Sequence, residues 1–325
     1  MKYKKKIVYI QCILIIIVYL LSMTYGYKKV EYFDDMIKAK INVEKLFENI
    51  KERKAELGII MNEKLDINHT GMIGEEFTGM TTTMGDLDSK RLSTNSNFAA
   101  YFVKVFKEMK LTKDDIILVN MSSSFPGINL SVISALDTLG LNGILVNSIG
   151  ASMYGANNED FTFLEMEEYL KHKGLIKNKI SAYSWGGDWD IGHNFSPGVQ
   201  DKINSRIKNI KIKKFYTKNI DENFKNKCEY YDSFGKPKIF INIGGNILFQ
   251  RLLKRYDNKG VKTISILNLK FIGNKLGFSI RQKKNIESVK IYYKSRKNIF
   301  EILIIIIFIG GLLLIFKKGD TDEEE

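Results

Sequence analysis

The chain has 325 residues and a net charge of +13, with 50 Lys and Arg against 37 Asp and Glu, and only two cysteines, Cys12 and Cys228. That length fits one large domain or two small ones. The cysteines exclude a disulfide framework. The absence of a Walker-type lysine loop and of G-x-G-x-x-G argues against nucleotide hydrolysis, so no cofactor is expected.

The chain opens with Lys2, Lys4, Lys5 and Lys6 and turns apolar at once. Residues 7–25 carry no charge and are long enough to cross a bilayer core of roughly 30 Å. A cleaved signal peptide is the alternative, but the apolar run exceeds the usual ~7–15 residues and no A-x-A-like site follows. Residues 299–316 form a second apolar stretch, interrupted only by Glu301, and predict a second span. Two spans place both termini on one side. The four N-terminal lysines, with Lys317 and Lys318, predict cytoplasmic ends, an acidic cytoplasmic tail over 317–325, and an extracytoplasmic domain over 28–297. Lys28, Lys29, Lys294, Arg296 and Lys297 on the opposite flanks keep a cytoplasmic domain open.

Between the spans, residues 31–57 place Phe33, Met36, Ile37, Ile41, Leu46, Phe47 and Ile50 at helical spacing. The Thr/Gly/Met-rich residues 71–95 read as a long loop, of a length that is uncommon unless it serves a site. Residues 98–109 return to helical spacing. A regular alternation then begins. Strands are expected over 116–120, 144–148, 180–185, 238–243 and 261–267, with helices over 130–139, 165–173, 198–210 and 247–255 between them. Such alternation predicts an α/β domain with a mostly parallel, Rossmann-like sheet flanked by helices.

Charge is unevenly spread. Residues 31–200 hold 17 basic and 24 acidic side chains, whereas 201–300 hold 25 basic and 7 acidic ones. AT-rich coding favours lysine everywhere and does not by itself explain opposite signs. The basic third therefore suggests a polyanionic partner or an anionic membrane surface.

In an open parallel sheet, ligands bind beyond the carboxyl ends of the strands. Here those ends carry Ser122, Ser123, Ser124 and Gly127, then Gly150, then Gly187 and Asp188, then Gly244 and Gly245. Small residues there leave backbone N–H groups open, and the following helix N-terminus suits a carboxylate or phosphate. Tight turns and helix caps are the bland reading of each loop. Ser122 or Ser124, with His193 and Asp188, is a candidate nucleophilic set, although the glycines of G-x-S-x-G are missing. Thr81, Thr82 and Thr83 with Asp86, Lys90 and Arg91 form the densest polar cluster. Lys90 and Arg91 are candidates to clamp a carboxylate, and Thr82 is a further candidate nucleophile. No metal is expected, because no Cys/His ligand set and no cation-loop spacing is present.

The stretches Glu76-Phe77-Thr78, Thr81 to Leu87, Ser89-Lys90-Arg91, Ser93-Thr94-Asn95 and Asn97 to Ala100, together with Ser122 to Gly127, Ser148 to Ser152, Gly155-Ala156-Asn157, Gly186-Gly187-Asp188 and Ile241 to Gly245, resemble the poly-γ-glutamate system protein family of the PgsW type. The resemblance runs over about residues 30–275 in the same order. The chain departs from the family pattern at Ser123, where glycine is usual. The resemblance implies a role beside the synthase and export proteins that make γ-linked polyglutamate, with that polymer, those membrane proteins and the lipid bilayer as partners. Nucleic acid is not expected among them. The leading expectation is a membrane-anchored accessory component that binds the polyanion or its glutamyl end. A γ-glutamyl hydrolase or transferase with a Ser or Thr nucleophile, and a structural protein whose spans assemble the synthase, are the alternatives.

Overall fold

The computed structural model describes residues 2–25, 27–282, 286, 289–295 and 297–320. Helix α1 (Lys2–Tyr25) is followed by a short strand β1 (Tyr27–Lys29) and by α2 (Phe33–Glu56). Asp34 and Asp35 in the first turn of α2, and Arg53 and Lys54 in its last, carry the signs that the helix dipole favours. Met36, Ala39, Val43, Leu46, Phe47 and Ile50 form its buried stripe. The segment 71–95, expected as a loop throughout, contains helix α3 (Leu87–Ser93). Asp86 caps it by accepting from Ser89 N at 2.8 Å, and this short capped turn is hidden by the surrounding Thr and Gly.

Helix α4 (Asn97–Glu108) precedes the alternating part: β2 (Ile117–Ser122), α5 (Pro126–Leu139), β3 (Gly143–Ser148), α6 (Phe163–His172), β4 (Ile180–Ser184), α7 (Val199–Ile207), β5 (Lys213–Phe215), α8 (Ile220–Asp232), β6 (Ile239–Ile243), α9 (Ile247–Asn258), β7 (Lys262–Ile266) and α10 (Leu269–Leu276). The chain closes with β8 (Tyr293–Ser295) and α11 (Lys297–Asp320). Three elements of the alternating part were not expected, nor were the short strands β1 and β8. Strand β5 is three residues of which two are exposed lysines. The helices α8 and α10 lie in the basic third, where charge masks their apolar spacing.

The main sheet has six strands in the order β5-β4-β3-β2-β6-β7, and every neighbouring pair is parallel. The α/β expectation is met. Strand β2 is central and pairs on one side with β3 and on the other with β6. Chain order reverses across β2 and β6, so their carboxyl ends flank the topological switch point. Leu118, Val146, Ala182, Phe215 and Phe240 on one face pack with Tyr231 of α8 and with Leu248, Phe249, Leu252 and Tyr256 of α9. The Phe240 and Tyr256 rings stack at 4.5 Å. Burying each such ring contributes about 1.5–3 kcal/mol. Alternation turns Ile117, Val119 and Met121 to the other face.

The chain divides into two compact units, Asp34–Ser288 and a terminal unit made of residues 1–33 and 289–325. The larger unit lies within the domain expected over 28–297. Strands β1 and β8 belong to the terminal unit and pair antiparallel, Tyr27 opposite Ser295. Within α1 and α11, Lys5–Met23 and Asn298–Ile315 are long and apolar enough to cross a membrane. The two helices pack together through a polar tie, Gln11 Nε2 donating to Ile307 O at 2.9 Å and Phe308 O at 3.1 Å. A Cβ at Gly311 would lie 1.5 Å from Gln11 Nε2, so glycine is what allows that approach. Helix α11 runs through Lys317 and Lys318 to Asp320. Of the expected acidic tail, residues 321–325 lie outside the described residues, as does Arg296.

Candidate functional site

Beyond the carboxyl ends of the sheet lies a cavity of about 680 Å³. The loops after β2, β3, β4 and β6 line it with Ser122, Ser124, Gly150, Ser152, Gly187, Asp188, Gly244 and Gly245, and α3 and its approach add Thr82, Thr83, Asp86 and Lys90. These loops converge because the strands are parallel and in register: Ser122 pairs with Ser148, and Met121 with Ile243. Close packing demands glycine at the seam. At Gly244, φ is +112° and a Cβ would meet Ser122 Cβ at 2.6 Å. A Cβ at Gly150 would lie 2.7 Å from Thr82 Cγ2.

Hydroxyls dominate the floor. Ser122 Oγ donates to Ser124 Oγ at 2.9 Å, and Ser152 N donates to the same Ser124 oxygen at 3.0 Å. Lys90 enters from α3 with its side chain buried. Its Nζ donates to Ser152 Oγ at 2.6 Å and to the Ser124 carbonyl, and lies 4.3 Å from the Phe125 ring centroid. Burial pushes the Lys90 amine down to about 7, because a desolvated ammonium is disfavoured. At the rim, Asp86 pairs with Lys270 at 2.9 Å, whose hydrogen bond and charge hold the Asp86 carboxyl below its usual range. Asn246 caps α9 by accepting from Phe249 N at 2.7 Å, and that helix N-terminus borders the cavity.

A second, buried network supports the wall formed by residues 188–190. Asp190 and Lys227 are both fully buried, with Oδ2 and Nζ 2.7 Å apart. The contact is charge against charge rather than along a hydrogen-bond direction. Ser184 Oγ donates to Asp190 Oδ1 at 2.9 Å and accepts from Lys227 Nζ at 2.9 Å. Trp189 and Asp190 adopt φ of +57° and +65°, conformations that cost non-glycine residues of order 1–3 kcal/mol each. The buried pair therefore holds a strained turn against the cavity.

Several expected residues sit elsewhere. Thr81 faces inward, its Oγ1 accepting from Thr78 N at 2.9 Å and Asn157 Nδ2 at 3.0 Å. Ser123 is buried and donates to Ser148 O at 2.7 Å. Gly127 lies under the chain at Ser93, where a Cβ would approach the carbonyl oxygen to 2.5 Å. Arg91 does not stand beside Lys90; its guanidinium ties down the carbonyls of Leu65 and Lys64 at 2.9 and 2.8 Å. His193 stacks on Trp189 at 4.9 Å and is not among the cavity-lining residues. Asp188 lines the cavity but its carboxylate accepts from Asn194 Nδ2 at 3.0 Å. The set Ser124, His193 and Asp188 is therefore not assembled as a hydrogen-bonded triad among the described residues. Ser148, Ser152, Phe125 and Asp190 line the cavity without having been assigned a role. The first two were legible as hydroxyls at the end of β3, whereas Lys227 gave no signal.

Among the described residues, no group of three or more His, Cys, Asp and Glu side chains is placed to hold a metal ion. No family model, curated protein or solved structure matches the chain significantly.

Proposed function

We propose that the protein is a membrane-anchored accessory component of poly-γ-glutamate synthesis or export, and that its α/β domain binds the polymer's glutamyl end in the switch-point cavity. The observation that carries this reading is Lys90, an amine buried in a hydroxyl-lined cavity with no carboxylate among its hydrogen-bond partners. Such a group is poised to accept a carboxylate from outside. The sequence resemblance supplies the identity of the polymer. Residues 201–300, with 25 basic against 7 acidic side chains, support it by long-range, salt-screened attraction for a polyanion. The two apolar terminal helices support anchoring. With four lysines ahead of the first, the termini are assigned to the cytoplasm and the domain to the outside.

Equilibrium binding of the detergent-solubilised full chain to poly-γ-glutamate tests the proposal, with a protein of matched net charge as the control. Binding should exceed the control at every salt concentration and weaken as salt rises. Binding no tighter than the control would show non-specific charge attraction alone and would overturn the reading.

A further inference from the structure

Binding alone does not require the contact between Lys90 and Ser152. Lys90 reaches neither solvent nor a carboxylate, and unlike the buried Lys54, whose Nζ donates to the Gly71 carbonyl at 2.7 Å, it meets a side-chain hydroxyl. It is 2% exposed, and the three acids that line the cavity are engaged elsewhere, Asp86 with Lys270, Asp188 with Asn194 and Asp190 with Lys227. What Lys90 does touch is a hydroxyl on the cavity wall, Ser152 Oγ at 2.6 Å, brought to it from 62 residues away in sequence. The separation is that of a nucleophile and its base, with the hydroxyl becoming the donor once the amine is neutral.

We propose that Ser152 and Lys90 form a nucleophile–base pair for acyl transfer at an amide carbonyl, with a γ-glutamyl amide as the substrate class. The substrate class rests on the polymer reading above; the pair itself rests on the geometry. In its neutral form the Lys90 amine takes the proton of Ser152 as Oγ bonds to the carbonyl carbon. The carbonyl π pair moves to oxygen and gives a tetrahedral oxyanion. Ser124 is placed to serve that oxyanion. Its Oγ already accepts from Ser122 Oγ and Ser152 N, which leaves its own hydroxyl hydrogen to donate. When the oxyanion collapses, the C–N bond breaks and the Lys90 ammonium returns its proton to the leaving amine. An ester of Ser152 remains. Water, losing a proton to the Lys90 amine, then attacks the ester, and the proton passes back to Ser152 as the carboxylic acid leaves. An amine of a second chain in place of water completes transfer instead of hydrolysis. The lowered proton affinity of Lys90, about 7 through burial, supplies the neutral amine near neutral pH. The Ser122, Ser124 and Thr82 nucleophiles considered from sequence lack such a base among the described residues.

The test uses the detergent-solubilised full chain, its Ser152→Ala and Lys90→Met variants, a fluorophosphonate probe, and a γ-linked glutamate polymer whose chain length is followed by gel filtration. Lys90→Met keeps the apolar stem in place, and its melting temperature should equal or exceed that of the parent, which separates lost chemistry from lost folding. The expected result is labelling at Ser152 and shortening of the polymer by the parent, with both reduced at least 100-fold in either variant. Polymer bound but not shortened, with no labelling above Ser152→Ala, would overturn the nucleophile–base pair and leave the binding reading intact. Labelling of Ser152 that depends on Lys90, without polymer binding, would uphold the pair and overturn the polymer as its substrate.

Discussion

Replacing Lys227 by Met removes the cation from a pair that has no access to water. Both members are fully buried and 2.7 Å apart, so the Asp190 carboxyl would be left in the interior without its counter-ion, with only the hydroxyls of Ser184 and Ser148 at 2.9 and 3.4 Å. Breaking such a pair from one side costs about 3–5 kcal/mol. Methionine retains much of the stem's packing against the Phe215 and Phe249 rings, over which Nζ now sits at 5.8 and 5.4 Å, so little of the loss comes from packing. In a domain of this size, 1 kcal/mol moves the melting temperature by about 2–4 °C, and the variant should melt on the order of 6–20 °C lower. Both tryptophans of the chain, Trp185 and Trp189, belong to the segment this pair holds, so their fluorescence during heating reports it directly. Lys227→Met combined with Asp190→Asn removes both charges and should recover at least half the loss. A single variant within about 1 kcal/mol of the parent, or a double variant less stable than the single, would refute the claim that charge pairing holds the turn.

Glu167 gives a prediction of opposite character. Burial raises its carboxyl to about 7, so between about 4.5 and 7 the folded state keeps a proton that the unfolded chain has lost, and stability falls as pH rises through that window. Glu167→Gln preserves an acceptor for Ile180 N, now 2.9 Å away, and should abolish that slope, raising stability at pH 8 by up to about 3 kcal/mol in denaturant titrations. Gly244→Ala forces a side chain onto a φ of +112° and against Ser122; it should cost about 1–3 kcal/mol in thermal melts and weaken polymer binding with it. Gln11→Leu removes the tie to Ile307 O and Phe308 O and should loosen the terminal helix pair by about 0.6–2 kcal/mol, seen as easier separation in a helix-pair association assay. Unchanged association would show the tie to be incidental.

Much of this architecture was legible in the sequence because parallel strands buried on both faces write continuous apolar runs. The expected strands over 116–120 and 238–243 carry such apolar stretches and are β2 and β6, whereas their adjacency at the switch point is a matter of strand order, which the sequence does not display. The serine and glycine loops that end them were legible for the same reason, since a loop that follows a strand in a parallel sheet must emerge at the same edge as its neighbours. Strand β5 was not legible: two of its three residues are exposed lysines, and pairing with β4 alone makes it a strand. Helix α3 was concealed by its Thr/Gly surroundings, although Asp86 followed three residues later by Ser89 is a cap in plain view. Side-chain direction was the harder loss. Neighbouring Lys90 and Arg91 diverge, one into the cavity and one to the carbonyls of Leu65 and Lys64, and among Ser122, Ser123 and Ser124 the middle residue turns inward. Those choices depend on what packs above each turn. The contact of Lys90 with Ser152, like that of Lys227 with Asp190, joins elements whose adjacency only the folded sheet creates.

The account rests on a γ-glutamyl chain end occupying the switch-point cavity, and an experimental structure of the full chain with a short γ-linked glutamate oligomer tests that most directly. The account predicts the oligomer's density within the cavity, a carboxylate or carbonyl oxygen within hydrogen-bond reach of Lys90 Nζ or the Ser124 hydroxyl, and an end of the oligomer at the Gly244–Asn246 turn. Density confined to the basic surface of residues 201–300, with the cavity empty at a saturating oligomer concentration, would contradict it.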